Sequence, residues 1–393
     1  MDTLDSSPAL SPAAFDRLRA ALDADGPLAA VDKLCDELRA AEDFHSLFYA
    51  LLMRKRVELG VSPFPNGAAA ELPPETHEAY EDAIRQAGRS VGQIYLDRGD
   101  IAKAWVLFRM LGEPGPVKDA LEAWNPGPDA DTYSVVEVAW QGGVLPQKGF
   151  DIVLDRHGVC SAITMIHSAD LSSNPTLREY CVRRLVRALY DQLKERLTAD
   201  LAGRNLPAEP TVGEIVAKHP ELFGEDVYHI DVSHLSSVVQ LAMTLDSGPE
   251  LGLARELCLY GEKLSPTFRG DSDPPFQDTY SDYKVYLDVL RGANVDAGIS
   301  HFRAKADAGV DPDGDPNPPA EVLVNLLLKI GRPAEALAVA KQYLSRFGDG
   351  QMTCPSVTEL ARRARDYESL AEAAKSRSDA VTFLAGLIAG KKT

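Results

Sequence analysis

The side chains best suited to chemistry crowd into one part of this sequence. Asp155-Arg156-His157-Gly158-Val159-Cys160-Ser161-Ala162-Ile163-Thr164-Met165-Ile166-His167 carries two imidazoles and a thiol, and Tyr228-His229-Ile230-Asp231-Val232-Ser233-His234 adds two imidazoles and a carboxylate. Five of the eight histidines fall between positions 157 and 234, about one fifth of the length. Imidazole and thiolate are zinc ligands, so His157, Cys160 and one or two of His167, His229 and His234 make a candidate tetrahedral structural site. His157 and Cys160 stand three apart across a turn, whereas His229 and His234, five apart, share no helix face. Bringing the latter pair together needs a strand-to-helix bend, for which Ser233 is the expected N-cap ahead of Leu235, Val238, Val239 and Ala242.

The same groups suit a second chemistry. Cys160 near a helix N-terminus would be a thiolate nucleophile, His157 or His234 its base, and Asp231 or Asp155 the orienting carboxylate. No pattern marks an oxyanion hole for such an enzyme. Against both stands a packing role, which leads: His157 beside the C-terminal dipole of its helix, Cys160 filling a tight turn, His234 in a first helical turn. His167 reads as a solvated helix end, and His219 before Pro220 as a helix terminus.

Other motifs fall away on spacing. Asp311 to Pro319 alternates acids as a calcium loop does, but Pro316 and Val322 occupy the positions where an EF-hand needs glycine and glutamate. Gly142-Gly143 lacks the residues of a phosphate-binding loop, and neither Gly-x-Ser-x-Gly nor His-Glu-x-x-His occurs.

The elements that must position these groups read as short amphipathic helices separated by Gly, Pro, Asn and Asp, with almost no period-two alternation. Only Val227 to Val232 suggests a strand. Pro146 to His157 is expected to be a short helix closed by Gly158, and Pro175 to Leu201 a long one with Leu177, Cys181, Leu185, Leu189, Leu193 and Leu197 on one stripe. Phe276, Tyr280, Tyr283 and Tyr286 read as helical core in preference to a peptide-binding rim. Proline-rich breaks at Ser62 to Pro74, Asn125 to Asp131, Asp271 to Gln277 and Asp311 to Pro319 mark loops or domain joints.

From about Glu75 to Pro116 two apolar-periodic stretches flank Arg98-Gly99-Asp100, where Gly supplies a left-handed helix end and Asp caps the next helix. With Gly92, Tyr95, Gly99, Ala104, Phe108 and Pro116 in register, this hairpin resembles the tetratricopeptide repeat. Gly92 and Ala104 let the helices approach, Tyr95 and Phe108 fill the space beside them, and Pro116 stops the second helix. Leu111, where a small residue is usual, and Gly88, where an aromatic is commoner, depart from the pattern. Echoes place Gly292 before Ala297 and, 39 residues on, Gly331 before Ala336 within Glu321 to Phe347. A looser version sets Gly26 before Val31, Leu34 and Leu38, and helices around Leu360 to Leu370 and Ala380 to Leu387 would close the array. The resemblance covers about half the chain. It implies an all-α, helical-hairpin solenoid with a divergent central helical region, whose stacked units bury what single hairpins cannot.

Three regions follow: 1–125, N-terminal hairpins; 126–247, the central region with the His/Cys cluster; and 248–393, C-terminal repeats. With 41 basic and 59 acidic residues the net charge is −18, and 45% of residues are hydrophobic. That balance excludes wholesale disorder and argues against nucleic-acid or anionic-membrane partners, since Arg183, Arg184 and Arg187 are the best basic cluster. Met1 to Ala14 reads as a frayed tail without signal-peptide character. Leu47 to Met53 and Val381 to Gly390, the most apolar stretches, are too short to span a bilayer. Cys35, Cys160, Cys181, Cys258 and Cys354 are odd in number and widely spaced, which suits a reducing compartment, so the cytoplasm is expected. The resemblance implies a scaffold that binds a protein or peptide, with ends that can self-associate. The alternative is a metal-dependent (zinc) or Cys/His enzyme with its site in the central region.

Overall fold

Glycine and proline punctuation turns almost the whole sequence into helices. A computed structural model describes residues 10–64, 72–127, 130–270, 272–309, 314–348 and 350–391, and among these there is no strand. The chain divides into two compact units, Met1–Arg156 and His157–Thr393. In each, helices adjacent in sequence pack against one another.

The first unit contains α1 (Pro12–Ala40), α2 (Phe44–Glu58), α3 (His77–Asp97), α4 (Ile101–Leu111), α5 (Gly115–Ala123) and α6 (Tyr133–Val136), the last running into a π turn over Glu137–Gln141. It closes with the first half of α7 (Pro146–Ser168). Helix α1 is broken at Gly26, whose φ of 84° carries no penalty only for glycine. The break reverses the chain. In a straight helix Arg17 and Glu37 would lie roughly 30 Å apart, yet Arg17 Nε and Nη2 donate to Glu37 Oε1 and Oε2, each at 2.7 Å. The two halves of α1 are thus a helical hairpin, matching the looser hairpin expected at Gly26.

Helices α3 and α4 form the hairpin read most clearly from sequence. Gly99 has a φ of +78°, and the Asp100 side chain accepts the backbone N–H of Lys103. A Cβ on Gly92 would stand 2.7 Å from Phe108 Cε2, so only glycine permits this helix spacing. The two departures from the repeat pattern compensate each other: a Cβ on Gly88 would meet Leu111 Cδ1 at 3.1 Å, so the missing side chain makes room for the larger one. Pro116 does not stop α4. Gly112, left-handed at φ 70°, does so, and Pro116 sits in the first turn of α5, where its missing N–H costs nothing.

The second unit begins with the rest of α7, which breaks at Gly158 (φ 81°) as expected. It continues with α8 (Pro175–Gly203), α9 (Val212–Lys218), α10 (Val232–Ala242), α11 (Glu250–Gly261), α12 (Pro266–Arg269), α13 (Thr279–Leu290) and α14 (Val295–Ala308). It ends with α15 (Pro318–Lys329), α16 (Pro333–Tyr343), α17 (Val357–Ala364), α18 (Tyr367–Ser376) and α19 (Ala380–Gly390). The six predicted stripe residues of α8, Leu177 to Leu197, are all buried. Tyr280, Tyr283 and Tyr286 are buried and Phe276 packs on Tyr283 with ring centroids 4.5 Å apart, so this cluster is core. Burial pushes the Tyr283 phenol up to about 12.

Several local expectations need correction. Val227 to Val232 forms no strand: the segment is irregular until α10 starts at Val232. The cap of α10 is Asp231, whose Oδ1 accepts from the backbone of Ser233 at 2.8 Å and of His234 at 3.1 Å, so Ser233 is not the N-cap. At the Gly292 turn, Ala297 is exposed and Gly298 is the small residue against α13, where a Cβ would collide with Val289. This turn holds one residue more than the Gly99 turn. Counted from the residue preceding each helix, Ala104, Gly298 and Ala336 occupy the same place. The span 360–370 is not one helix but the end of α17, a turn with Arg365 left-handed, and the start of α18. Met1–Ala9 lie outside the described residues; Pro12 to Ala14 are not frayed but open α1, with Ala14 buried. Asp311 to Asp313 of the acidic loop, and parts of the other proline-rich breaks, also lie outside them.

Candidate functional site

The hairpin in α1 leaves a surface that its own side chains do not close. Leu18 and Leu22 from the first half, Pro27, Val31 and Leu34 from the second, and Met53 and Val57 from α2 line a groove of about 400 Å³. Leu18 and Leu22 are one helical turn apart, and Val31 and Leu34 repeat at i, i+3, so each half of α1 gives one apolar stripe to the groove. Leu22 keeps 48% of its surface exposed. Arg19 stands at the rim and forms no ion pair or hydrogen bond among the described residues. Below the groove the unit is rigidly filled: Cys35, Leu38, Phe44, Leu47 and Phe48 are buried. The Arg17–Glu37 fork clasps the two halves of α1, and its hydrogen bonds hold the Glu37 carboxyl below the usual carboxylate range.

A second cavity, of about 420 Å³, lies between α2 and α3 over Ala79, Ala83 and Ala87. Its walls are charged, and their charges are already used: Arg54 bonds Asp32 at 2.6 Å and pairs with Glu58, to which Lys55 also reaches at 3.5 Å. The two cavities differ in what they can still bind. Of the two, only the α1–α2 groove combines unmet apolar surface with a charge that has no partner among the described residues.

The histidine-rich segments are placed differently from a shared site. His157 is half-buried before the break at Gly158, Cys160 is exposed just beyond it, and His167 is exposed in the last turn of α7. His229 faces α8 and α11. Its Nε2 lies 3.2 Å from Asp200 Oδ2, its ring packs edge-on against Tyr260, and its backbone N–H donates to the Tyr260 hydroxyl at 2.7 Å. His234 sits in the first turn of α10, its backbone N–H taken by Asp231. His219 ends α9 half-enclosed by carboxylates, with Nδ1 3.0 Å from Glu221 and Nε2 3.7 Å from Glu209. Among the described residues no group of three or more His, Cys, Asp or Glu side chains is placed to hold a metal ion. His157, Cys160, His167, His229 and His234 are therefore not brought together as a ligand set, and the Asp231 carboxylate is spent on a helix cap.

Buried carboxylates elsewhere are structural ties. Glu250, almost fully buried, receives Arg183 and Arg187 from α8. Burial opposes its ionisation, but its own backbone N–H at the start of α11 and the guanidiniums of Arg187 and Arg183 outweigh that and hold its pKa below the usual range. Asp282 joins α13 to α14 through His301 at 2.7 Å and Lys305 at 3.1 Å.

Compared with protein-family models, with curated proteins and with solved structures, the chain gives no match. Sequence reasoning found Val31 and Leu34 but missed Leu18 and Leu22, because the stretch from Phe15 to Asp25 followed a supposed tail. Its signal was present: Phe15, Leu18 and Leu22 recur at i, i+3 and i+7 on one helix face.

Proposed function

We propose that this chain is a tetratricopeptide-like helical-hairpin scaffold that binds an apolar segment of another protein in the α1–α2 groove. The observation that carries the reading is the groove itself, apolar along both walls, half-exposed at Leu22 and edged by Arg19, which has no partner among the described residues. Its chemistry selects the occupant. Two parallel apolar stripes accept anchors spaced as on one helix face, and Arg19 favours a carboxylate on the flank, where an ion pair fixes orientation more than it adds affinity. The hairpins at Gly26, Gly99, Gly292 and Gly331, the last three with small buried residues in equivalent places, support the repeat half of the reading. Catalysis has less support, since no three His, Cys, Asp or Glu side chains among the described residues are placed to hold a metal ion and each of His219, His229 and Asp231 has a structural partner.

The test is selection from a random peptide library on the purified chain, followed by titration of the enriched peptide against wild type and Leu22→Asp. Enriched sequences are expected to carry apolar residues at i, i+3 or i+4 together with an acid. Leu22→Asp replaces half-buried apolar contact with a carboxylate, at a cost of about 2 kcal/mol, or roughly 30-fold in affinity. Enriched peptides that bind both proteins equally would sink the assignment to this groove.

A further inference from the structure

Helix α19 carries a second unmet surface, far in sequence from the groove and independent of it. Gly386 and Gly390 face α18, where Cβ atoms would meet Leu370 at 3.3 Å and Tyr367 at 3.4 Å, so α19 lies close on α18 along one side. The opposite side is apolar and exposed: Val381 at 82%, Leu384 at 56%, Leu387 at 44% and Ile388 at 51%. At 100° per residue Val381, Leu384, Ala385 and Ile388 form one stripe, with Leu387 at its border. No residue from Ala380 to Gly390 is charged, in a chain of net charge −18. The charges flanking the helix have opposite signs: Asp379 at its N-terminus and Lys391 just past its C-terminus.

We propose that α19 pairs with α19 of a second copy of this chain, antiparallel about a two-fold axis passing between Leu384 and Ala385. That axis is dictated by the stripe. It sets Val381 opposite the partner's Ile388 and places the small Ala385 at the crossing, where helices approach most closely. The same operation brings Asp379 beside the partner's Lys391 at both ends and opposes the two helix dipoles. A parallel pairing would set Asp379 against Asp379 and Lys391 against Lys391. Charge selects a copy of this chain as the occupant: two strongly acidic molecules can meet without facing carboxylates only through a neutral patch, and the charges bordering this one are complementary to themselves under two-fold rotation. One helix face buries less than the roughly 1,200 Å² of stable complexes, so the association is weak and depends on concentration.

Sedimentation across a concentration series tests the association. Wild type should move from the 42.6 kDa of one chain towards twice that mass. Leu384→Glu, at an exposed position that leaves the fold intact by circular dichroism, should raise the apparent dissociation constant about tenfold or more, by setting two carboxylates at the axis. Orientation is read by cross-linking in a Cys160→Ser background, which removes the one exposed native thiol. Isotope-labelled Val381→Cys chains mixed with unlabelled Ile388→Cys chains should give disulfides between the two kinds. A wild type that stays at one chain's mass, a Leu384→Glu protein that associates as wild type does, or disulfides only between like chains would each overturn the proposal.

Discussion

The approach of α3 to α4 offers the sharpest test of the hairpin packing, through Gly92→Ala. Two terms oppose each other. Alanine is favoured over glycine inside a helix by about 1 kcal/mol. The new Cβ, however, falls 2.7 Å from Cε2 and 3.1 Å from Cζ of Phe108, a ring only 2% exposed in the core of the first unit. Overpacking of this kind costs roughly 1–3 kcal/mol, so the net effect is a destabilisation of about 1 kcal/mol. All three tryptophans, Trp105, Trp124 and Trp140, lie in the first unit, so tryptophan fluorescence in urea, excited beyond the tyrosine band, reports that unit. With a slope of roughly 2 kcal/mol per molar urea, the midpoint should fall by about 0.5 M. Phe108→Leu in the same chain removes the clash, and a double-mutant cycle should show favourable coupling of about 1 kcal/mol. A Gly92→Ala protein stabilised by about 1 kcal/mol, as at an open helix surface, would refute the reasoning.

Other outcomes follow from the second unit and from the thiols. Glu250→Gln takes the carboxylate from half-exposed Arg187 and leaves Arg183 to Glu179 and the Ser247 carbonyl, so the loss is about 2 kcal/mol, seen as faster hydrogen exchange in α8 and α11. Because the folded pKa of Glu250 is depressed, its stabilisation is complete above the unfolded value of about 4.3 and disappears as pH falls through the folded value; Glu250→Gln removes that part of the acid dependence. Asp231→Ala removes the true cap of α10 and should cost about 1 kcal/mol, whereas Ser233→Ala, which keeps the cap, should cost less, as measured by exchange in α10. A thiol reagent near pH 8 should modify Cys160 alone in the native chain and all five cysteines after unfolding, since burial raises the Cys35 and Cys258 thiols and pushes Cys354 up to about 12. Rapid labelling of a second native cysteine would contradict that burial.

What could be read from sequence was what local chemistry decides. Gly99 with Asp100 specifies a turn and a cap between its own neighbours, and the stripe of α8 needs only helical periodicity to be seen. The glycine at 158 broke α7 for the same local reason. What escaped depends on partners distant in the chain. Whether Ala297 or Gly298 meets α13 turns on one extra residue in a loop, and the histidines looked like a cluster only because sequence proximity was read as proximity in space. His229 instead answers to Asp200 and Tyr260, some 30 residues away on either side. Asp231 displaced Ser233 as a cap because its carboxylate reaches two backbone N–H groups at once, and hydrogen bonds from the Ser233 hydroxyl and from those backbone groups hold its pKa below the usual range. The groove was hidden by a different cause. Its stripe in α1 has ordinary amphipathic spacing, and only the fold-back at Gly26 shows that part of that stripe remains uncovered.

Site-specific photocross-linking of a bound peptide tests the central claim most directly. With p-benzoylphenylalanine in place of Leu22 in one protein and in place of Val106, a somewhat more exposed position on α4, in another, the selected peptide is expected to cross-link at 22 and not at 106. Cross-linking at 106, or at neither position under saturating peptide, would contradict binding in the α1–α2 groove.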